Sequence, residues 1–241
     1  MHSRKCSFEN CLKSVSYCLL NPTANLMYPY HILLLDKPHG ITSAKAGHLV
    51  KRKLQLEKVG HTGTLDPIAT GMLPLCLNHA TRYSQYLLSQ DKHYRATAKF
   101  GELTDTGDST GTTLETHGPI PSQKAVLSAL TRFLGGYSQQ PPRYSALHYQ
   151  GKRWYEWARA GIEIPRPSRE IIIKELELVD WNPPYFTIDV LCQTGTYIRS
   201  LIEDIAEAAN SIAHMTELRR NWVSPLQTLP MISLEDIDNT N

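Results

Sequence analysis

The stretch Val59-Gly60-His61-Thr62-Gly63-Thr64-Leu65-Asp66-Pro67-Ile68-Ala69-Thr70-Gly71 sets one carboxylate among glycines, threonines and a proline. Proline at 67 disfavours the α conformation at Asp66, while Gly60, Gly63 and Gly71 permit tight backbone paths. The segment therefore reads as a shaped loop. A carboxylate held there has two uses: it can cap nearby backbone N–H groups as an Asx turn, or it can do chemistry. The local pattern leaves both open.

Other chemistries find less support. The G-x-S-x-G elbow of a hydrolase nucleophile is absent. Asp66, Asp105, Asp108 and Asp204 are carboxylates of the kind glycoside chemistry uses, but nothing in their spacing pairs them. The five cysteines, at 6, 11, 18, 76 and 192, include no C-x-x-C pair, and no histidines stand at zinc spacing. That argues against a metal site and for a reduced, cytosolic protein. What remains is Asp66 on its loop, Arg199 at a strand-to-helix junction, Tyr94 opening a strand, and a basic-aromatic arm.

That arm spans Gln139 to Arg169. It interleaves Arg143, Lys152, Arg153, Arg159, Arg166 and Arg169 with Tyr144, Tyr149, Trp154, Tyr155 and Trp157, six cations against two acids. Cations mixed with aromatics suit a surface that grips a phosphate backbone and stacks on exposed bases. An amphipathic hairpin with snorkelling arginines would show the same composition.

Elements of both kinds must position these residues. Ile32 to Leu35 predicts a buried strand, and Thr42 or Ser43 caps a helix to about Leu54 that ends in Lys51, Arg52 and Lys53. Met72 to Leu77, Tyr94 to Phe100, Ile171 to Val179 and Tyr185 to Cys192 predict further strands. Residues 101–121, rich in Gly, Thr, Asp and Ser, predict a long loop. Ser122 caps an amphipathic helix that Gly135-Gly136 ends, and an apolar stripe from Ile198 to Ala209 predicts another helix. Strands and helices without βαβ regularity predict an α+β fold, with a mixed, mostly antiparallel sheet and helices around it.

The totals agree with a globular chain. Of 241 residues, 41% are hydrophobic and 20% charged, and no apolar run reaches membrane-spanning length. A formal charge of +2 permits an anionic partner without demanding one. Residues 1–30 lack the apolar core of a secretory signal and carry three of the cysteines. They are expected to be a poorly ordered extension, with Met27 an alternative start, ahead of a single domain over 31–241.

Five ordered blocks carry a resemblance: LLLDKPHGITS (33–43), GHTGTLDPIATGMLPLCL (60–77), DKHYRATAKFGELTDTGDSTG (91–111), PPRYSAL (141–147) and GTYIRSLIED (195–204), followed by LRR at 218–220. Together they closely resemble the TruB family of tRNA pseudouridine synthases, over roughly Ile32 to Ser224. The resemblance implies the pseudouridine synthase fold with an RNA-gripping insertion. It also implies an isomerase that turns uridine into pseudouridine at position 55 in the T arm of tRNA, breaking the N1–C1′ bond and remaking it at C5.

Asp66 then matches the family's essential aspartate, which attacks either C6 of the uracil or C1′ of the ribose. Both routes need the ionised form, and Arg199 matches the arginine that pairs with this aspartate; such a pairing lowers a carboxylate pKa by roughly 1 to 3 units. The target uridine must be flipped out, at a cost on the order of a few kcal/mol, and Tyr94 matches the tyrosine that stacks on it. His61 matches a histidine that fills the vacated space. Lys37 and Pro38 match the pocket edge, Tyr197 packs near the base and Leu218 forms the apolar wall. Arg143, Lys152, Arg153 and Arg159 are the RNA-binding arm. The resemblance implies no metal or other cofactor, the T stem-loop of tRNA as partner, no membrane, and a cytoplasmic monomer without an obligatory protein partner.

The chain departs from its relatives at His148, where many bacterial members carry lysine, at Gln193-Thr194, where Ser-Lys is usual, and in IAEAANSIAH, where glycines and a leucine are usual. Ending at Asn241, it leaves no room for a C-terminal PUA-type domain, from which reduced RNA affinity is expected. Two rivals stand beside the synthase: a non-catalytic tRNA-binding or folding protein on the same scaffold, and a hydrolase that releases free uracil.

Overall fold

A computed structural model describes residues 30–237, so the extension expected over residues 1–30 lies, but for its last residue, outside the described residues. The chain divides into two compact units, one formed by residues up to 92 together with those from 219 onward, the other by residues 93–218.

The first unit begins with β1 (Tyr30–Lys37), α1 (Ser43–Lys53), β2 (Val59–His61) and β3 (Thr70–Asn78), followed by a 3₁₀ turn (His79–Tyr83) and α2 (Ser84–Leu88). The apolar run of β1 pairs antiparallel with β3, setting Leu33 opposite Leu75 and Leu35 opposite Leu73. β2 pairs with the same strand, His61 opposite Leu75. Helix α1 starts as expected because the Thr42 hydroxyl accepts the Lys45 N–H at 3.1 Å, and its last turn places Lys51, Arg52 and Lys53 against the negative end of the helix dipole. Ile32, Leu34, Met72, Cys76, Leu87, Val223 and Leu226 form its apolar core.

The second unit contains β4 (Lys92–Phe100), β5 (Glu102–Thr104), β6 (Thr113–Thr116), α3 (Gln123–Leu130), β7 (Gly135–Gln139), β8 (His148–Tyr149), β9 (Lys152–Arg153), α4 (Trp154–Arg159), β10 (Arg169–Asn182), β11 (Tyr185–Cys192) and α5 (Ile198–Ala208). Within it, β4, β11, β10 and β7 are successive neighbours. β11 buries Phe186, Ile188, Val190 and Cys192 on one face, the alternation its sequence predicts, and Phe186 stacks on Phe100 with ring centroids 4.3 Å apart. A last strand, β12 (Ala213–Val223), begins in this unit and ends in the first, where Arg219 and Arg220 run parallel to Thr70 and Gly71 of β3. The fold is α+β with mixed strand pairing, as the sequence predicts.

Two local expectations are corrected. Residues 101–121 contain the short hairpin β5–β6, whose connection is shaped by aspartate and threonine side chains. Gly135-Gly136 does not end a helix: α3 stops at Leu130, and the two glycines open β7, which pairs with β10. The helix predicted over Ile198 to Ala209 is present as Ile198–Ala208, after which Asn210 takes a positive φ of 56° and the chain turns into β12. Among the described residues no helix is long and apolar enough to cross a membrane.

Candidate active site

Asp66 is half-buried in the loop that leaves β2 and enters β3. Three anchors shape this loop. On its flank the buried Ser43 hydroxyl, at the start of α1, donates to the Leu65 carbonyl at 3.0 Å and accepts the Leu65 N–H at 2.8 Å. At its tip the Pro67 carbonyl accepts the Gly40 N–H at 2.8 Å and a longer bond from Lys37 Nζ at 3.4 Å, while the Ala69 N–H donates to the Asp66 carbonyl at 3.0 Å. At its mouth Arg220 donates from Nε to the Met72 carbonyl at 2.7 Å and from Nη2 to the Gly63 carbonyl at 3.2 Å.

Lys37 and Arg220 are completely buried. The Lys37 ammonium donates to the Pro38 and Ile41 carbonyls, each at 2.8 Å, besides Pro67. Burial pulls its pKa from 10.5 down to about 8; the Asp66 carboxylate opposes that shift and Arg220 adds to it. The substrate contact expected of Lys37 is not what this geometry offers, since its donors face backbone carbonyls of its own unit. Of the expected pair, Pro38 is the exposed member. Gly71 closes the loop with φ of +95°, and a Cβ there would collide with the Arg220 carbonyl, so the loop re-enters the sheet through glycine alone. His61, half-buried at the end of β2, stands at the start of the same loop.

In the second unit, Tyr94 lies on the inward face of β4, only 7% exposed. Arg199, 5% exposed in the first turn of α5, donates from Nη1 to the Thr106 carbonyl at 2.8 Å and from Nη2 to the Tyr144 carbonyl at 2.9 Å, with Asp108 at 4.0 Å from Nε. The start of α5 is pinned by Gln139, which accepts the Tyr197 N–H at 2.9 Å and donates to the Tyr197 carbonyl at 3.1 Å. Leu218 is buried near the end of the unit.

Asp105 and Asp108 serve as turn formers: Asp105 accepts the Thr112 N–H at 2.7 Å, and Asp108 accepts the Thr110 N–H at 3.0 Å and the Thr110 hydroxyl at 2.6 Å. Asp204 accepts the Tyr137 hydroxyl at 3.2 Å.

Sequence reasoning named neither Arg220 nor Glu203. Arg220 stood in the LRR string without a role, and the signal for Glu203 was its place four residues after Arg199, one helical turn on. Burial pushes the Glu203 carboxyl up to about 7, helped by Asp204 and opposed by Arg199 and Arg166. Burial also raises Asp204 to about 6.

The arm sorts its cations by what they touch. Lys152 Nζ lies 4.9 Å above the Trp157 ring and the Arg159 guanidinium 5.4 Å from that of Tyr155, both cation–π contacts on exposed residues. Arg143 lines a cleft of about 180 Å³ with Gln140, Trp154 and Arg166. Arg153 differs, donating to the Ala146 carbonyl at 2.8 Å.

Residues 51–198 match the model of the TruB family pseudouridylate synthase N-terminal domain, and residues 199–241 that of the tRNA pseudouridylate synthase B C-terminal domain. The chain is 47% identical over 204 residues to tRNA pseudouridine synthase B of Actinobacillus succinogenes, covering 85% of this chain and 66% of that protein. It is 45% identical over 206 residues to the protein of the same name from Haemophilus influenzae, covering 86% and 66%. The chain thus spans about two thirds of the length of these curated relatives. Among solved structures, a Cbf5-Nop10-Gar1 complex is similar with a TM-score of 0.68 at 32% identity, over 86% of this chain and 53% of the matched one. An H/ACA RNP bound to a substrate RNA containing 2'-deoxyuridine gives a TM-score of 0.64 at 29% identity, over 86% and 52%.

Proposed function

Since the chain belongs to the TruB family of pseudouridine synthases, we propose that it isomerises uridine to pseudouridine at position 55 in the T arm of tRNA, with Asp66 as the essential carboxylate. In this reaction the N1–C1′ bond breaks, a C5–C1′ bond forms, C5 loses its proton and N1 gains one, so no external reactant is consumed. The observation that carries the reading is the construction of the Asp66 loop. A turn-capping aspartate needs no support beyond its own loop, whereas this one is held from three sides by Ser43, Lys37 and Arg220. Such anchoring suits a group that must meet a flipped base in one place, where geometry supplies a large share of the rate.

Tyr94 and Arg199 join the proposal as the stacking tyrosine and the cation that serves the carboxylate. Each is buried on a regular element of the second unit, which limits its freedom. His61, Tyr197 and Leu218 contact the substrate in this reading, while Lys37 supports the loop from beneath. The arm residues Arg143, Lys152 and Arg159 grip the T stem-loop through phosphate and base stacking. The enzyme acts as a cytoplasmic monomer and uses no cofactor.

Tritium release from tRNA labelled at uridine C5 tests this. The wild type is expected to release tritium and Asp66→Asn to fall to background. No release by the wild type overturns the synthase, free uracil as product points to a hydrolase, and equal release by both proteins removes Asp66 from the reaction.

A further inference from the structure

Two adjacent arginines near the end of β12 are used in opposite ways. Arg219 is half-exposed and forms a bidentate pair with Asp36, at 3.1 and 2.9 Å, an ordinary surface interaction. Arg220 has no exposed surface and bonds to carbonyls: Met72, two residues after the loop returns to the sheet, and Gly63, near its start. Its Nη1 also lies 3.4 Å from where a Gly63 Cβ would be, so the guanidinium fills the space under the mouth of the loop. Desolvating a guanidinium is costly, and an apolar side chain of similar volume would fill the site with less penalty, so its planar fork of donors is the property the site uses. The residues between its two acceptors include Asp66.

We propose that Arg220 is a positioning residue for the Asp66 reaction: by clasping carbonyls on both sides of the loop it fixes where the carboxylate stands. The proposal rests on the reading of Asp66 as the reacting group. Arg220 touches no substrate in this role; it acts through the loop. Lysine can occupy the same space and keep the charge, but its donors all leave one nitrogen. Arg220 instead reaches Met72 from Nε and Gly63 from Nη2, separate points of a rigid fork, so Arg220→Lys separates geometry from charge.

The experiment compares the wild type with Arg220→Lys and Arg220→Gln, measuring kcat and KM for C5 tritium release, the dissociation constant for tRNA, and amide hydrogen exchange across residues 63–72. Expected are a kcat lower by about 100-fold in both variants, the loss that a displacement near 1 Å brings, with tRNA affinity within about twofold of wild type and faster exchange confined to the loop. A purely structural role would lower kcat and tRNA binding together and loosen the whole unit, which overturns the proposal, as does a wild-type kcat in Arg220→Lys. If Arg220→Gln does not fold, Arg220→Lys decides alone, and failure of both to fold makes Arg220 a folding residue and overturns the assignment. Should the wild type itself release no tritium, the synthase reading falls, while unchanged loop exchange in Arg220→Lys would overturn the positioning role independently.

Discussion

The Asp66 loop and the basic-aromatic arm both carry cations, and they use them differently. Around the loop, Lys37 and Arg220 are fully buried and donate to backbone carbonyls. Along the arm, Lys152 and Arg159 are exposed residues whose charged groups lie against aromatic rings, with no buried carbonyl cage around them among the described residues. A cation whose donors meet carbonyls shapes the backbone, and one whose donors meet solvent remains available to phosphate. Burial and acceptor type separate the two; residue type does not.

The largest effect that would sharpen this contrast is expected from Lys37→Met. Loosening the tip of the loop should lower kcat by roughly 10- to 100-fold while leaving tRNA affinity within about twofold, as read by single-turnover kinetics and filter binding. A matching loss of affinity would place Lys37 with the arm cations instead.

Lys37 also predicts a pH dependence. Its folded pKa, about 8, lies below the ordinary 10.5, so the unfolded chain holds more protons between those values and stability rises with pH across that window. The penalty on the charged form is fully present below pH 8 and has faded by about 10.5. Chemical denaturation at pH 7.5 and 10 should show the wild type gaining roughly 2 to 3 kcal/mol relative to Lys37→Met. An equal response from the two proteins would mean the ammonium carries no such burden.

Replacing Arg143, Lys152 and Arg159 together by alanine should weaken tRNA binding by about tenfold at moderate salt. It should also make log K against log salt shallower by about 2, with kcat at saturating tRNA held within about twofold. A kcat loss without a change in slope would break the distinction. The smallest effect is expected from Arg153→Ala, about 1 kcal/mol of stability through its lost bond to Ala146 and little change in salt slope, because this arm cation behaves like those beneath the loop.

Much of this was legible in the residues. The Thr42 and Ser122 caps, the apolar run of β1 and the alternation of β11 each state their structure locally, and the glycines and proline around Asp66 announce a shaped loop. What escaped depends on distant partners. The β5–β6 hairpin hides in a Gly, Thr, Asp and Ser-rich segment because Asp105 and Asp108 shape its connection in place of an apolar alternation. Gly135-Gly136 reads as a helix stop unless β10 is known to lie beside it. Lys37 matches the pocket edge through the family string alone, and only the fold shows its ammonium enclosed by carbonyls.

The contact between Gly71 and Arg220 joins positions far apart along the chain. During synthesis Asp66 leaves the ribosome well before β12 does, and until that strand docks, neither the mouth of the loop nor the close approach at Gly71 exists. A nascent or prematurely terminated chain lacking β12 therefore carries Asp66 without the side chain that closes the mouth of its loop. The geometry of this loop is therefore complete only once nearly the whole chain has been made, so its local sequence alone does not finish it.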